Sequence, residues 1–331
     1  MTQTRFDVLC IGNAIVDVIA DADDAFLEAQ GLDKGSMRLI DEAEAVRLYG
    51  EMGPGREISG GSAGNTAAGL AALGISAGFV GQVANDQLGE IYRHDMESQG
   101  IAFLVDPRGD VGATARSLIL VTPDAQRTMN TFLGAAQRLE QRHVDMDAVA
   151  AAGILYLEGY LWDPAEPRAA MEAAIDAAHA AGRKVAFTLS DSFCISRHRA
   201  DFLRLIDEGK VDILFANEAE ITELAGVADF DAAVDAVAPK VPVLAVTRSE
   251  KGAVAVAGDQ RASVPAEPID RLVDTTGAGD LFAAGFLAGQ ARGLSLETSL
   301  KLGAIAAAEI IQHYGPRPEQ DLKALAGDLL D

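Results

Sequence analysis

Between about residue 140 and residue 248 the chain alternates short apolar runs with stretches of helical length. Strands are expected at 153–159, 184–190, 211–216 and 243–248, with helices at 165–181, 198–208, 218–225 and 231–239. Few folds accommodate that order. Strands separated by helices pair as parallel neighbours through right-handed crossovers, which gives a doubly wound, mainly parallel α/β sheet flanked by helices. The composition agrees: 49% of residues are hydrophobic but only 5% aromatic, and Ala and Gly abound, a mix suited to helices packed closely over a sheet. At 331 residues, one large α/β domain or a large domain plus a small one is expected.

The flanking regions extend this frame. Phe6 to Gly12 reads as a buried first strand, and Asn13 and Asp17 follow at an even spacing that puts both on one face of an extended segment. Residues 59–74 form a glycine-rich entry into a small-residue helix closed by Gly74 as a C-cap. A strand from Ala77 to Gln82 and a helix from about Gln87 to Gln99 come next. Two strands at 252–264 and two long helices at 277–291 and 296–313 complete the core. Two segments break the pattern. Residues 18–58 are acidic and turn-rich, and residues 102–133 hold short strands with a hairpin at Pro123-Asp124-Ala125. These two excursions are expected to pair as a small sheet outside the core. The helix-like stretch from Asp41 to Leu48 can cover that sheet.

Charge and cysteine content exclude several functions. With 50 acidic and 27 basic residues the net charge is −23, a field that repels nucleic-acid polymers and anionic membranes. Any anionic substrate needs local cations or helix ends. Cys10 and Cys194, each in or beside an apolar strand-like run, offer no disulfide framework or zinc pattern and read as reduced core residues. No apolar run approaches ~18 residues, and no signal peptide is recognisable at the start, so a soluble, cytoplasmic protein is expected. The five histidines are scattered without metal spacing, and P-loop, dinucleotide, protein-kinase and G-x-S-x-G motifs are missing.

What remains is a set of polar groups at the carboxyl ends of the expected strands, where open α/β sheets bind ligands. They are Asn13 and Asp17; Gly60, Gly61, Ser62 and Asn65; Asn217 and Glu220; Thr247, Arg248 and Gly252; and Asp274-Thr275-Thr276-Gly277-Ala278-Gly279-Asp280. Singly, each has an ordinary role as a helix cap or turn. Five at one sheet edge do not. The last stretch precedes the apolar run Leu281 to Gly289, so its glycines sit at a helix N-terminus, where free N–H groups and the dipole make an anion site. A carboxylate beside bound negative charge, as at Asp280, makes sense if it takes a proton during transfer of that anion.

Gly60-Gly61-Ser62-Ala63-Gly64-Asn65 and Asp274 to Asp280, with Asn217-x-x-Glu220 between them, resemble the signatures of the PfkB (ribokinase-like) family of sugar and nucleoside kinases. The likeness spans essentially the whole chain. It implies a ribokinase-like fold, with 1–17, 59–101 and 134–331 as the large domain and 18–58 and 102–133 as a small β-sheet lid. It also implies transfer of the γ-phosphoryl group of MgATP to a primary hydroxyl. On that resemblance Asp280 matches the catalytic base and Gly277, Ala278 and Gly279 the anion hole. Asn217 and Glu220 match the element that organises Mg²⁺, with Glu220 acting through water. Thr247, Arg248 and Gly252 match the nucleotide loop, and the last helix, including Ala304 and Ala308, the adenine wall. Asn13, Asp17, Gly61, Ser62 and Asn65 match the acceptor side, and Arg127 a lid arginine that binds phosphates. Asp274 and Thr276 match two ligands of a monovalent cation, K⁺, that is common in the family.

The Gly12-to-Asp17 start, the long first excursion, Leu133-Gly134-Ala135-Ala136 and the Gly315-Pro316-Arg317-Pro318 tail are similar to the adenosine kinase branch. Phe26, Met37, Leu39 and Phe132 are candidates for a wall against the base. An adenosine-type nucleoside is the expected acceptor. The alternatives are a sugar (ribokinase, fructokinase or 2-keto-3-deoxygluconate kinase type) or a catalytically inactive ligand-binding homologue. A monomer, or a homodimer through the lid, is expected.

Overall fold

The structure, a computed structural model, describes residues 4–124 and 126–330. In chain order its strands are β1 (Phe6–Ile11), β2 (Ile15–Asp21), β3 (Met37–Leu39), β4 (Arg56–Ser59), β5 (Ala77–Val80), β6 (Ala102–Phe103), β7 (Ala115–Val121), β8 (Arg127–Phe132), β9 (Ala152–Glu158), β10 (Lys184–Thr188), β11 (Ile213–Asn217), β12 (Val243–Thr247), β13 (Ala253–Ala257) and β14 (Gln260–Val264). The helices are α1 (Asp24–Ala29), α2 (Glu42–Glu51), α3 (Ser62–Ala72), α4 (Gln87–Ser98), α5 (Met146–Ala150), α6 (Ala165–Ala180), α7 (Ser192–Asp207), α8 (Glu218–Ala225), α9 (Phe230–Val237), α10 (Ala278–Ala291), α11 (Leu296–Ile310) and α12 (Leu322–Ala326).

The large sheet runs β14-β13-β12-β11-β10-β9-β1-β5-β6. It is parallel from β12 to β6, and the β13–β14 hairpin adds an antiparallel edge. Central strands lie between two helical layers and are apolar on both faces, as parallel sheets require. Ile154 and Tyr156 of β9 face the core shared with α3, α10 and α11; Leu155 and Leu157 face the one shared with α6 to α9. The abundance of glycine has a structural counterpart in the first of these layers. A Cβ on Gly285 of α10 would lie 2.4 Å from the Leu302 carbonyl of α11, and one on Gly69 of α3 would lie 2.6 Å from Leu281 of α10. Glycine at these crossings sets how closely the three helices approach.

The second sheet runs β3-β8-β7-β2-β4 and joins both excursions. β7 and β8 form the expected hairpin, closed by Thr122 N–H to the Gln126 carbonyl at 3.0 Å, although Ala125 lies outside the described residues. Helix α2 packs on β7 and β8 through buried Ala45 and Leu48, so the acidic stretch does cover this sheet. Three details differ from expectation. β2 begins at Ile15, so Asp17 stands on the small sheet, whereas β6 belongs to the large one. Helix α7 begins at Ser192 rather than 198, because the Asp191 carboxylate caps it by accepting from Cys194 N–H at 2.6 Å. Cys194 is therefore a buried helix residue, not part of a strand.

If Gly285 sets the α10–α11 distance, Gly285→Ala should destabilise the protein by about 1–3 kcal/mol in urea unfolding. A loss within error of zero would show that the two helices can separate freely.

Candidate active site

The carboxyl ends of β1, β9, β11 and β12 lie along one edge of the large sheet, where the N-termini of α3 and α10 meet. Both helices start at a glycine in left-handed or positive-φ geometry without a capping side chain: Gly61 has φ 80° and Gly277 φ 80°. Side chains are excluded there for steric reasons as well. A Cβ on Gly61 would lie 2.2 Å from the Asn13 carbonyl, and one on Gly60 2.5 Å from an Asp17 carboxylate oxygen. Space around Gly279, by contrast, is open. The α10 N-terminus thus presents unblocked backbone to the cleft, as an anion site needs.

Asp280 lies in the first turn of α10. Ser62 Oγ donates to its Oδ1 at 2.6 Å and Asn65 Nδ2 to its Oδ2 at 2.8 Å, while Thr66 Oγ1 donates to its backbone carbonyl at 3.2 Å. Burial raises its affinity for a proton; Ser62, Asn65 and the charge of Arg317 act against that rise. Asp17, buried on β2, is pushed up to about 6, chiefly by burial, against the attraction of Arg127 and Arg317. Two carboxyls with enhanced proton affinity therefore lie near one another at this edge. That combination suits a group that must accept a proton near neutral pH.

Two residues outside the expected set hold this floor together. Glu158, fully buried at the end of β9, accepts from Asn13 N–H, Asn13 Nδ2 and Ala63 N–H, each at 2.7 Å. It ties β1 to the start of α3, and burial pushes its carboxyl up to about 7 despite those donors. Arg317, in the tail after α11, donates from Nη1 to Asn65 Oδ1 at 2.6 Å and from Nη2 to Ser59 Oγ at 2.8 Å. A carboxylate closing an apolar strand was a readable signal for Glu158. For Arg317 the sequence offered only its place in the Gly315-Pro316-Arg317-Pro318 stretch, which gave it no role at the site.

The structure brings Arg127 of β8 onto the glycine turn. Its Nη1 donates to Thr276 Oγ1 at 2.6 Å and pairs with the Asp274 carboxylate. Burial alone would raise the Asp274 carboxyl, but the Arg127 pair and the Thr276 backbone N–H hold it below the ordinary range. Nε and Nη2 of Arg127 are buried without a partner among the described residues. In this arrangement Arg127 occupies both side chains matched to a monovalent cation.

A cleft of about 390 Å³ adjoins the turn, lined by Thr247, Gly252, Ala278, Gly279, Ala304 and Ala308, with Leu272, Phe282 and Ile311. Five of the expected nucleotide-side residues, with Ala278 of the expected anion hole, thus share one cavity whose walls are largely small and apolar. Arg248 does not join them. It pairs with Glu218 at 3.1 Å and lies 3.6 Å over the Phe230 ring, because the parallel register of β11 and β12 sets the two strand ends side by side.

Asn217 and Glu220 form a reciprocal capping box on α8, with Glu220 N–H on Asn217 Oδ1 at 2.8 Å and Asn217 N–H on Glu220 Oε2 at 3.0 Å. Burial pushes Glu220 up to about 7. The described residues contain no cluster of three His, Cys, Asp or Glu able to cage a metal. Such a donor set suits Mg²⁺ held mainly by phosphates and water, with one carboxylate at a distance.

Residues 5–322 match the family model described as pfkB family carbohydrate kinase. The chain is 51% identical to the crystal structure of adenosine kinase from Sinorhizobium meliloti, with a TM-score of 0.90 and coverage of 97% of this chain and 98% of that one. It is 50% identical to a probable sugar kinase protein from Rhizobium etli CFN 42, with a TM-score of 0.91 and 98% coverage of both chains. It is 29% identical to adenosine kinase of Saccharomyces cerevisiae over 93% of this chain and 96% of that protein.

Asp17, Glu158 and Glu220 keep protons in the folded chain at pH values where unfolded carboxyls, at 3.8 and 4.5, release them. Their contribution to stability is complete below about pH 4 and decays as pH rises through 6 to 7. The melting midpoint of the ligand-free protein should therefore fall from pH 5 to pH 8, and Glu158→Gln should flatten the slope. A midpoint that climbs with pH, or a slope untouched by the substitution, would contradict the assignment.

Proposed function

Because the chain belongs to the pfkB family of carbohydrate kinases and is a phosphotransferase acting on a hydroxyl group, we propose that it transfers the γ-phosphoryl group of MgATP to the 5′-type primary hydroxyl of a nucleoside, adenosine first. One observation carries the reaction. Asp280 is held by Ser62 and Asn65 at the mouth of an uncapped helix, next to the small-residue cleft. An acceptor hydroxyl between Asp280 and the turn loses its proton to the carboxylate as its oxygen bonds to the γ-phosphorus, while the bond from that phosphorus to the β-phosphate oxygen breaks and ADP leaves. Charge spreading over the phosphoryl oxygens meets the N–H groups of the Gly277 to Gly279 turn and the free donors of Arg127. Such transfer needs positioning and charge stabilisation more than covalent chemistry.

On this reading Asn13, Asp17, Gly61 and Asn65 hold the acceptor. Thr247, Gly252, Ala304 and Ala308 line the nucleotide cleft. Glu220 and Asn217 would hold magnesium through water, and the ion would supply neutralisation of phosphate charge. Arg127 turns from Asp274 and Thr276 to the phosphates. A monovalent cation can use those two side chains only after it does. The nucleoside preference draws support from the 51% identity to the Sinorhizobium meliloti adenosine kinase. A sugar acceptor is the second reading, favoured by the comparable identity to the Rhizobium etli probable sugar kinase.

An ADP-release assay with adenosine, ribose, fructose and 2-keto-3-deoxygluconate separates the two. Turnover with adenosine is expected, and turnover confined to free sugars would move the assignment to the second reading. Asp280→Asn should lower kcat by about 10²–10⁴-fold with KM for ATP little changed; a parent-like rate would remove Asp280 as the base. Arg127→Gln should raise KM for ATP by about tenfold, and an unchanged KM would place Arg127 outside the phosphate site.

A further inference from the structure

We propose that Arg317 is a positioning residue of the reaction, orienting Asn65 so that its amide nitrogen holds Asp280. The chemistry of the three groups permits one arrangement. A guanidinium only donates and a carboxylate only accepts. Asn65 lies between them, receiving Arg317 Nη1 on Oδ1 at 2.6 Å and giving Nδ2 to Asp280 Oδ2 at 2.8 Å. A flipped amide would set two donors face to face at Arg317 and two acceptors face to face at Asp280. Arg317 thereby fixes which end of Asn65 meets the carboxylate, across 252 residues of sequence.

The guanidinium is itself held from several sides. Its Nη2 donates to Ser59 Oγ at 2.8 Å, where β4 ends, and its Nη1 also reaches the Pro316 carbonyl at 3.2 Å. Glu309 of α11 accepts from the N–H groups of Glu319 and Gln320, each at 2.9 Å, which secures the tail on the far side. Toward the turn, Asp274 N–H donates to the Ile311 carbonyl at 3.2 Å, and Pro316 packs over Gly277. The tail thus spans the acceptor side and the phosphate side of the cleft. Arg317 Nε has no partner among the described residues, so burial of this cation is not explained by a closed set of bonds. Its placement is explained by what it does to Asn65.

The charged and titratable groups around Asp280 are Asp17 on β2, Tyr156 and Glu158 on β9, Tyr160 after it, and Arg317, with Arg127 and Asp274 beyond Asp17. The positive charge of Arg317 lowers the proton affinity of Asp280. Its removal shifts the Asp280 titration to higher pH.

The test titrates Asp280 by carboxyl ¹³C NMR, assigned by the signal lost in Asp280→Asn, in the parent and in Arg317→Gln. The proposal expects an upward move in the variant; an unmoved titration in a folded variant overturns it. Turnover, which rests on the kinase reading, should fall on the order of 10- to 100-fold, with the acid limb of the kcat/KM profile displaced upward and KM for ATP retained. A rise in KM alone with an unmoved limb overturns the positioning role. Should Arg317→Gln fail to fold, Arg317→Lys carries the test, since an ammonium cannot span Asn65 and Ser59; parent-like kcat in that variant overturns the proposal. If the parent phosphorylates no nucleoside or sugar, the proposed function fails, while the titration still decides the role of Arg317.

Discussion

Two hydrogen bonds, from Ser62 and Asn65 to the Asp280 carboxylate, join the N-termini of α3 and α10. A carboxylate removed from water needs donors, and those available come from a helix more than two hundred residues earlier in the chain. Whether they reach depends on how closely the helices pack. Gly69 of α3 lies against Leu281 and Ala284 of α10, where any Cβ would sit within 2.7 Å of them. A glycine in the core therefore sets a distance at the site. The two helix ends also point their positive poles at one region, so the fold that positions the carboxylate offers an anion site beside it.

The chain carries a net charge of −23, and its cleft must nonetheless bind phosphates under the proposed function. The sheet itself supplies little help, since Arg248 at its edge is neutralised by Glu218. Compensation comes from outside the sheet. Arg127 arrives on the small sheet and Arg317 on the tail, and both retain buried N–H groups without partners among the described residues. Leaving such donors unpaired costs about 1–3 kcal/mol each. A ligand that satisfies them recovers that cost. Arg127, on the anion turn, is the better placed of the two for phosphate oxygens.

The alternation of strands and helices was legible because its periods are local, and each glycine signature was legible because the turn and the helix it opens are contiguous. Glu158 was half legible: it closes an apolar strand at the ligand-binding edge, yet a glutamate there also reads as the first solvated residue of a loop. The role of Arg317 was not legible, although the Gly315-to-Pro318 stretch that holds it stood out in the sequence. Its partners Asn65 and Ser59 are 252 and 258 residues away, and only the folded tail joins them. Arg248 stands apart from the cavity for a related reason. Its motif position suggested the nucleotide loop, but the Asn217–Thr247 register puts Glu218 alongside it, and pairing across strands is invisible along one. Helix α7 begins six residues before the expected 198 because Asp191 caps it at Ser192, a signal that stands just after the expected strand.

Steric constraint explains why the class of reaction reads more plainly from this sequence than the acceptor. At the floor of the cleft few replacements fit: a side chain on Gly12 would meet Glu158, one on Gly60 would meet Asp17, and one on Gly61 the Asn13 backbone. Residues held so tightly leave a recognisable pattern. The lid candidates for a wall against a base are under no such restriction. Met37 and Leu39 are 46% and 60% exposed on a three-residue strand, and Phe132 has Arg116 over its ring at 6.0 Å. Many side chains satisfy those positions, and their identity is set by what they touch when the acceptor is bound. The pattern of a reaction can therefore persist in a chain whose specificity has changed.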